Sequence, residues 1–208
     1  MVKDFVERSV LCFNLIRVFP LAIGFVLTGE KEYIKKDVEK WSPECRFQGK
    51  NIFFNFFKLI ANYKEFRSLY YYRLGSGSSV TWLFSKIMRL IYKPEPSLYI
   101  WANKIGAGLF IQHGLCTMIS AESIGDNCWI NQQVMIGWNI DKAGIPTVGN
   151  NVRICSGAKV LGKITLGDNV IVGANAVVVR NVPSNCTVVG VPAHIVKRDG
   201  KKTNERLA

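Results

Sequence analysis

The spacing of apolar residues changes once along the chain. Up to about residue 98, apolar side chains recur at helical intervals. "DVEKW" (37–41) falls at the start or in the middle of a helix. "NIFFNFFKLIANYKEFRSLYYYRLG" (51–75) is apolar on one side and ends at Gly75, a natural helix stop. "GSGSS" (75–79) reads as a loop, and "KPEP" (93–96) as a break. Between them, "VTWLFSKIMRLIYK" (80–93) reads as an amphipathic helix carrying Lys86, Arg89 and Lys93. Such a helix suits either a membrane surface or a neighbouring domain.

From about residue 100 the step becomes six. Val148, Ile154, Val160, Leu166, Val172 and Val178 follow it without exception. Met118, Ile124, Ile130 and Ile136 form an earlier run, begun by Ile105 and Ile111. A helix repeats at 3.6 and a strand at 2, so neither explains a strict six. A parallel β-helix built from hexapeptides does: each hexapeptide supplies one short strand and one corner, and every sixth side chain points to the axis. Gly and Asn, as in "VGNNV", "LGDNV" and "VGANAV", suit corners that need left-handed backbone angles. The run is interrupted by "GWNIDKAGIPT" (137–147), and loops that leave a rigid scaffold often carry function.

The expected organisation is a helical region over 1–98, a β-helix over 99–198 and a basic tail over 199–208. Residues 10–27, "VLCFNLIRVFPLAIGFVL", are apolar but interrupted by Asn14, Arg17 and Pro20. They suit neither a cleaved signal nor a full membrane span. An interfacial segment and a helix buried in a helical cap remain as alternatives.

Composition narrows the partners. The 208 residues are 49% hydrophobic, which suits a globular protein. The net charge of +12 favours a phosphate-rich ligand or an anionic membrane surface. No nucleic-acid-binding motif is present, so nucleic acid is not expected as a partner. The six cysteines (12, 45, 116, 128, 155, 186) show no CxxC and no Cys/His metal spacing. They read as reduced thiols of a cytoplasmic protein, and no metal is expected.

Over roughly residues 50–198 the chain resembles the hexapeptide-repeat acyltransferases, and within them the serine acetyltransferase-like branch. "EFRSLYYYRLG", the histidine of "LFIQHG", "GAKVLGKITLGDNVIVGANAVV" and "NVPSNCTVVGVPAHIV" carry the resemblance. It implies a left-handed parallel β-helix behind an α-helical N-terminal region, assembled as a homotrimer. It implies acetyl-CoA as co-substrate, lying in a groove between adjacent β-helices. His113 takes the place of the family's general base, and a free imidazole, titrating near pH ~6.5, suits that task. Gly137, Trp138, Ser156 and Ala174 take the places of CoA contacts. Lys197 and Arg198 stand near the expected adenosine end, where they either meet phosphates or belong to a solvated basic tail.

Two departures shape the expected acceptor. Gln112 stands where serine acetyltransferases place an aspartate before the histidine. Gly144 and Ile145 stand where they place an Arg-His pair before a proline. The resemblance gives those residues a part in binding the amino and carboxyl groups of serine, and each lost charge-assisted hydrogen bond costs about 1.5–3 kcal/mol. The expected activity is therefore O-acetylation of a sugar in surface or capsular polysaccharide synthesis. The acceptor would be free or lipid-linked, the latter with the protein resting on the inner face of the cytoplasmic membrane. Serine O-acetylation and a non-catalytic β-helix scaffold are the alternatives. His194 reads as a surface residue. Asp141 is left between orienting His113 and a solvated turn. The aromatic run within 53–72 reads as helical core ahead of sugar stacking.

Overall fold

A computed structural model of the chain describes residues 16–47, 49, 51–140 and 144–207. It forms two compact units, Met1–Pro94 and Glu95–Ala208. The division falls after Pro94, not after residue 98, because the first rung of the β-helix starts earlier than the six-residue pattern reveals. Glu95 accepts hydrogen bonds from the Ser97 amide and hydroxyl, and Leu98–Ile100 already pairs as a strand.

The first unit is helical. α1 covers 16–27, followed by α2 (Lys31–Glu44), α3 (Ile52–Asn62), α4 (Lys64–Gly75) and α5 (Ser79–Ile91). The stretch 51–75 is two helices rather than one. Tyr63 adopts an extended backbone between α3 and α4. Asn51 caps α3 by accepting from the Phe54 amide, and Ser78 caps α5 by accepting from the Thr81 amide. The aromatic run is core: Phe56 packs edge-on against Phe66 and Tyr70, and Trp41 against Phe66.

Two arginines are held inside this unit. Arg73 makes a two-pronged pair with Asp37 at 2.9 and 3.1 Å, both side chains 2% exposed. Arg67 donates to the carbonyls of Ile60, Ala61 and Lys93. The described part of segment 10–27 is two-faced. Val18, Leu21 and Phe25 are buried, while Ile16, Phe19, Ile23 and Val26 are exposed; residues 10–15 lie outside the described residues. On α5 the buried positions are Thr81 and Ser85, and Val80, Leu83, Ile87, Leu90 and Ile91 are exposed. No helix among the described residues is long and apolar enough to cross a membrane.

The second unit is a left-handed parallel β-helix with three walls. The first wall holds β1 (Leu98–Ile100), β3 (Thr117–Ile119), β6 (Met135–Gly137), β9 (Lys159–Leu161) and β12 (Val177–Val178). The second holds β4 (Ser123–Ile124), β7 (Thr147–Val148) and β10 (Thr165–Leu166). The third holds β2 (Phe110–Ile111), β5 (Trp129–Ile130), β8 (Arg153–Ile154), β11 (Ile171–Val172), β13 (Cys186–Val189), β14 (His194–Arg198) and β15 (Lys201–Arg206).

One regular coil is eighteen residues: Val148 pairs with Leu166, Ile154 with Val172 and Val160 with Val178, all at most 3% exposed. Across the loop 137–147 the step is twenty-four, with Ile124 opposite Val148. The insertion adds six residues, one hexad, so it leaves the phase of the pattern intact.

Met118 departs from the expected phase. It is half-buried opposite Met135, and Ile119 takes the axial place opposite Ile136. The turn from Ile111 to Ile119 is two residues longer than that from Ile130 to Ile136, and the next step, to Ile124, is one shorter. The long turn contains His113, Gly114 and Cys116, all at positive φ.

Two corner columns tie the coils together. The Asn150 side chain accepts from the Asp126 amide, Asp168 from the Asn150 amide and Ser184 from the Asp168 amide. Beside them, left-handed Asn151, Asn169 and Asn185 pass side-chain hydrogen bonds down the stack. Gly149 has no alternative there, since a Cβ would stand 2.5 Å from Asp168 Oδ1 and 2.9 Å from the Asp168 amide nitrogen.

The expected basic tail is a strand. β15 pairs antiparallel with β14, Arg198 meets Glu205 at 2.6 Å, and Leu207 is buried. Its lysines and arginine suggest solvation when read as charge alone. The backbone ladder to β14, beside buried Ile195, recruits the segment instead.

Leu166→Ala empties a fully buried axial position and should lower stability by about 2–5 kcal/mol. Ile171→Ala, at a 40% exposed position on the neighbouring strand, should stay within about 0.5 kcal/mol. Urea unfolding of the two variants checks the contrast.

Candidate active site

The corner that follows β2, β5, β8 and β11 stacks four equivalent residues. Ile111, Ile130, Ile154 and Val172 are register partners on the third wall. Two residues beyond each stand His113, Gln132, Ser156 and Ala174. The backbone rungs bind this column directly: Gln112 N donates to Ile130 O, Asn131 N to Ile154 O and Cys155 N to Val172 O, at 2.8–3.0 Å. Gly157 N reaches Gln132 O at 3.1 Å and Asn175 N reaches Ser156 O at 2.9 Å. Three of the four residues are thus His113, Ser156 and Ala174, which the resemblance singles out.

The His113 turn differs from those below it. In the lower coils the left-handed residue comes third after the axial side chain: Gln133, Gly157 and Asn175. A Cβ on Gly157 would stand 2.0 Å from Asn175 Oδ1, so a side chain there would force Asn175 aside. In the top coil His113 itself is left-handed, at φ 63°, and Gly114 continues the turn. A non-glycine residue in that region is uncommon, and histidine, like asparagine, is among the types that enter it most readily. The result is an exposed imidazole at the corner.

Gln112 points elsewhere. Its Oε1 accepts from Trp129 Nε1 at 3.2 Å and Asn131 Nδ2 at 2.8 Å. Trp129 is in turn fixed by Phe110 edge-on at 4.7 Å and by the Arg153 guanidinium 4.5 Å above its ring. The residue that replaces the family's aspartate therefore locks the third wall.

Along the first wall, beside the column, runs a groove of about 500 Å³. Tyr99, Met118, Met135, Cys116, Gln133 and Lys159 line it. Lys159 Nζ donates to the carbonyls of Gln133 and Gly157, each at 2.8 Å, which pins the corner edge of the groove.

The remaining expected residues lie apart from the column. Gly137 ends β6 at the opposite edge of the first wall, opposite Leu161, and Trp138 follows it, 63% exposed. A Cβ on Gly137 would meet only Ser120 Cβ, at 3.9 Å, so packing does not demand glycine there. Lys197 is exposed on β14 opposite Thr187, in the outward row of the third wall that includes Trp129 and Arg153. His194 is half-buried and lines a separate cavity of about 830 Å³ with Arg180 and Arg206. Gly144 and Ile145 are half-buried. Asp141 lies outside the described residues. Among the described residues no three or more His, Cys, Asp or Glu side chains are grouped to hold a metal ion.

Gln132 was not singled out from the sequence. Counting two residues on from each axial aliphatic would have found it, because it occupies the His113 place one coil down. Its Oε1 is buried and has no hydrogen-bond partner among the described residues, and neither has Oδ1 of Asn131 beside it.

Residues 145–180 match the family described as bacterial transferase hexapeptide (six repeats). Residues 145–180 thus carry the bacterial transferase hexapeptide repeat. Similar proteins include a serine acetyltransferase of Staphylococcus xylosus, 50% identical over 102 residues, which are 48% of this chain and 47% of that one. One from Synechococcus elongatus is 45% identical over 104 residues, 49% of this chain and 43% of that one. The match thus spans about half of this chain and of each relative. Among solved structures, the serine acetyltransferase of Brucella abortus strain S19 in complex with coenzyme A superposes with a TM-score of 0.65. At 24% identity, with 88% of this chain and 74% of that one covered, it shares the fold.

These relatives overturn the expected sugar acceptor. The expectation rested on a few substituted positions around His113 and in one loop. Against it stands identity at about half of some hundred aligned positions, to proteins named for serine.

Thiol labelling tests the geometry of the groove. Cys116 is exposed at its edge, whereas Cys128 and Cys186 are buried. Burial pushes the Cys186 thiol up, which lowers its thiolate fraction at neutral pH. Iodoacetamide should modify Cys116 before Cys128 and Cys186, as read by peptide mass spectrometry.

Proposed function

We propose that this chain is an acetyl-CoA-dependent serine O-acetyltransferase with His113 as its general base. The carrying observation is the 45–50% identity to serine acetyltransferases across half of the chain. The exposed, left-handed His113 at the head of a corner column supports it.

An imidazole nitrogen of His113 takes the hydroxyl proton of serine as the oxygen attacks the thioester carbonyl. The new C–O bond forms, the C–S bond breaks through a tetrahedral oxyanion, and the proton passes to the departing CoA sulfur. General-base help of this kind is worth about 10²–10⁴-fold. Backbone N–H donors at the corner are suited to the oxyanion, a contribution of about 3–4 kcal/mol elsewhere.

The chain's residues fit an acyl-CoA. Small Ser156 and Ala174 leave the column below His113 open to a pantetheine arm. Gly137 leaves space that a side chain would fill, with Trp138 flanking it. Gly137 and Trp138 stand across the first wall from His113, so one CoA does not engage both edges of a single rigid wall at the reacting end. A homotrimer, which sets one edge of a β-helix against the other edge of the next, supplies the missing half. Lys197 is left to the adenosine end.

The loop departures act on serine affinity. A base with a column below it is retained, and an Arg-His pair is replaced by Gly144 and Ile145. Gly144 has φ 126°, where a side chain is strained, so Ile145 is the position to restore. Ile145→His should lower KM for L-serine about tenfold, the worth of one charge-assisted hydrogen bond, and leave KM for acetyl-CoA unchanged. Initial rates at varied serine measure it.

CoA release from acetyl-CoA and L-serine, followed with a thiol reagent, tests the reading itself. Turnover is expected, and His113→Ala should lower kcat by about 10²–10⁴-fold with the protein still folded. An inert wild-type protein, or a His113→Ala variant with full activity, overturns it.

A further inference from the structure

Among the described residues four buried side-chain polar atoms lack a hydrogen-bond partner. Two, on Asn55 and Arg89, are in the helical unit. The two in the β-helix are Asn131 Oδ1 and Gln132 Oε1, neighbours at the corner one coil below His113. A buried carbonyl oxygen without a donor costs about 1–3 kcal/mol, so natural structures rarely keep one idle. The contrast with the neighbouring corners is direct. There the side chains of Asn150, Asp168, Ser184, Asn169 and Asn185 all accept hydrogen bonds from the adjoining coil.

Asn131 is partly engaged, since its Nδ2 donates to Gln112. Gln132 is held at its backbone, where its carbonyl accepts from Gly157 N, while its side-chain oxygen accepts from none of the described residues. Its column places it between the proposed base above and Ser156 and Ala174 below. A ligand that reaches from Ala174 toward His113 passes Gln132 just before the reacting end. In an acyl-CoA the group at that place is the cysteamine amide, which presents one N–H. A neutral carboxamide oxygen matches a neutral amide donor, whereas an ammonium would be better met by a carboxylate.

We infer that Gln132 is an acyl-CoA-binding residue, its Oε1 accepting the N–H of the pantetheine amide nearest the sulfur. The inference rests on the acyl-CoA reading above and adds a residue and a bond to it. The bond fixes the thioester in register with His113 and acts on CoA affinity more than on chemistry.

Titration calorimetry with CoA, together with steady-state kinetics, tests it on the whole 208-residue chain. Gln132→Met keeps the length and removes the acceptor. Gln132→Glu keeps an acceptor oxygen. Gln132→Met should weaken CoA binding and raise KM for acetyl-CoA about tenfold, with KM for L-serine within twofold. Gln132→Glu should stay within threefold of wild type in CoA affinity. Both variants should unfold within a few degrees of wild type. Equal losses in the two variants would show that Gln132 acts by packing and overturn the inference. A rise in KM for L-serine alone would move the acceptor to the alcohol side and also overturn it. Wild-type protein that fails to bind CoA at all overturns the parent reading, whereas wild-type binding with an unaffected Gln132→Met overturns this inference alone.

Discussion

Each coil of the β-helix must return an aliphatic side chain to the axis above the one below it. Val148 over Leu166, Ile154 over Val172 and Val160 over Val178 are the regular case. The stack is continuous, so a slip of one residue would turn an apolar row outward and a polar row inward. Every irregularity of the chain is bounded by this condition. The loop 137–147 adds a whole hexad. The long turn at His113 is followed by a short step that brings Ile124 back into line. Freedom is confined to the corners.

The site is a product of that confinement. Corner side chains point away from the axis, so outside close approaches such as Gly149 their identity is released from axial packing, and the coil spacing lines them up for their neighbours. In two columns the release is used for structure: Asp126, Asn150, Asp168 and Ser184 form one hydrogen-bonded chain, and Asn151, Asn169 and Asn185 another. The His113 column is built differently. It carries a left-handed histidine, two small residues, and a glutamine whose acceptor has no partner among the described residues. Structural corners satisfy themselves, and this one does not.

The period of six was legible because axial positions tolerate only aliphatic side chains, and the same rigidity made the His113 corner legible. What escaped was everything that preserves the period or lacks one. Met118 is as apolar as Ile119, so the sequence does not tell which faces the axis; the added turn residues decide it. The inserted hexad leaves the count intact. β15 carries charge without alternation of apolar residues, and only its ladder to β14 and the Arg198–Glu205 pair make it a strand. Helical residues 51–75 conceal the break at Tyr63, because an extended residue between two apolar helices leaves little trace in the pattern. Gln132 was countable from the axial residues, but its unfilled oxygen was visible only once the neighbouring donors were placed.

The acceptor shows how local and distributed evidence should be weighed. A clamp on the amino and carboxyl groups of serine binds ground state and transition state about equally. Its loss therefore raises KM and leaves the chemical step in place. Loss of the base would lower kcat instead. On the proposed reading Gly144 and Ile145 fall in the first class, and His113 in the second. Two substituted loop positions are thus compatible with an unchanged reaction at a higher serine concentration. Their substitution does not require a different alcohol, and the serine acetyltransferase likeness over half of the chain favours the same one.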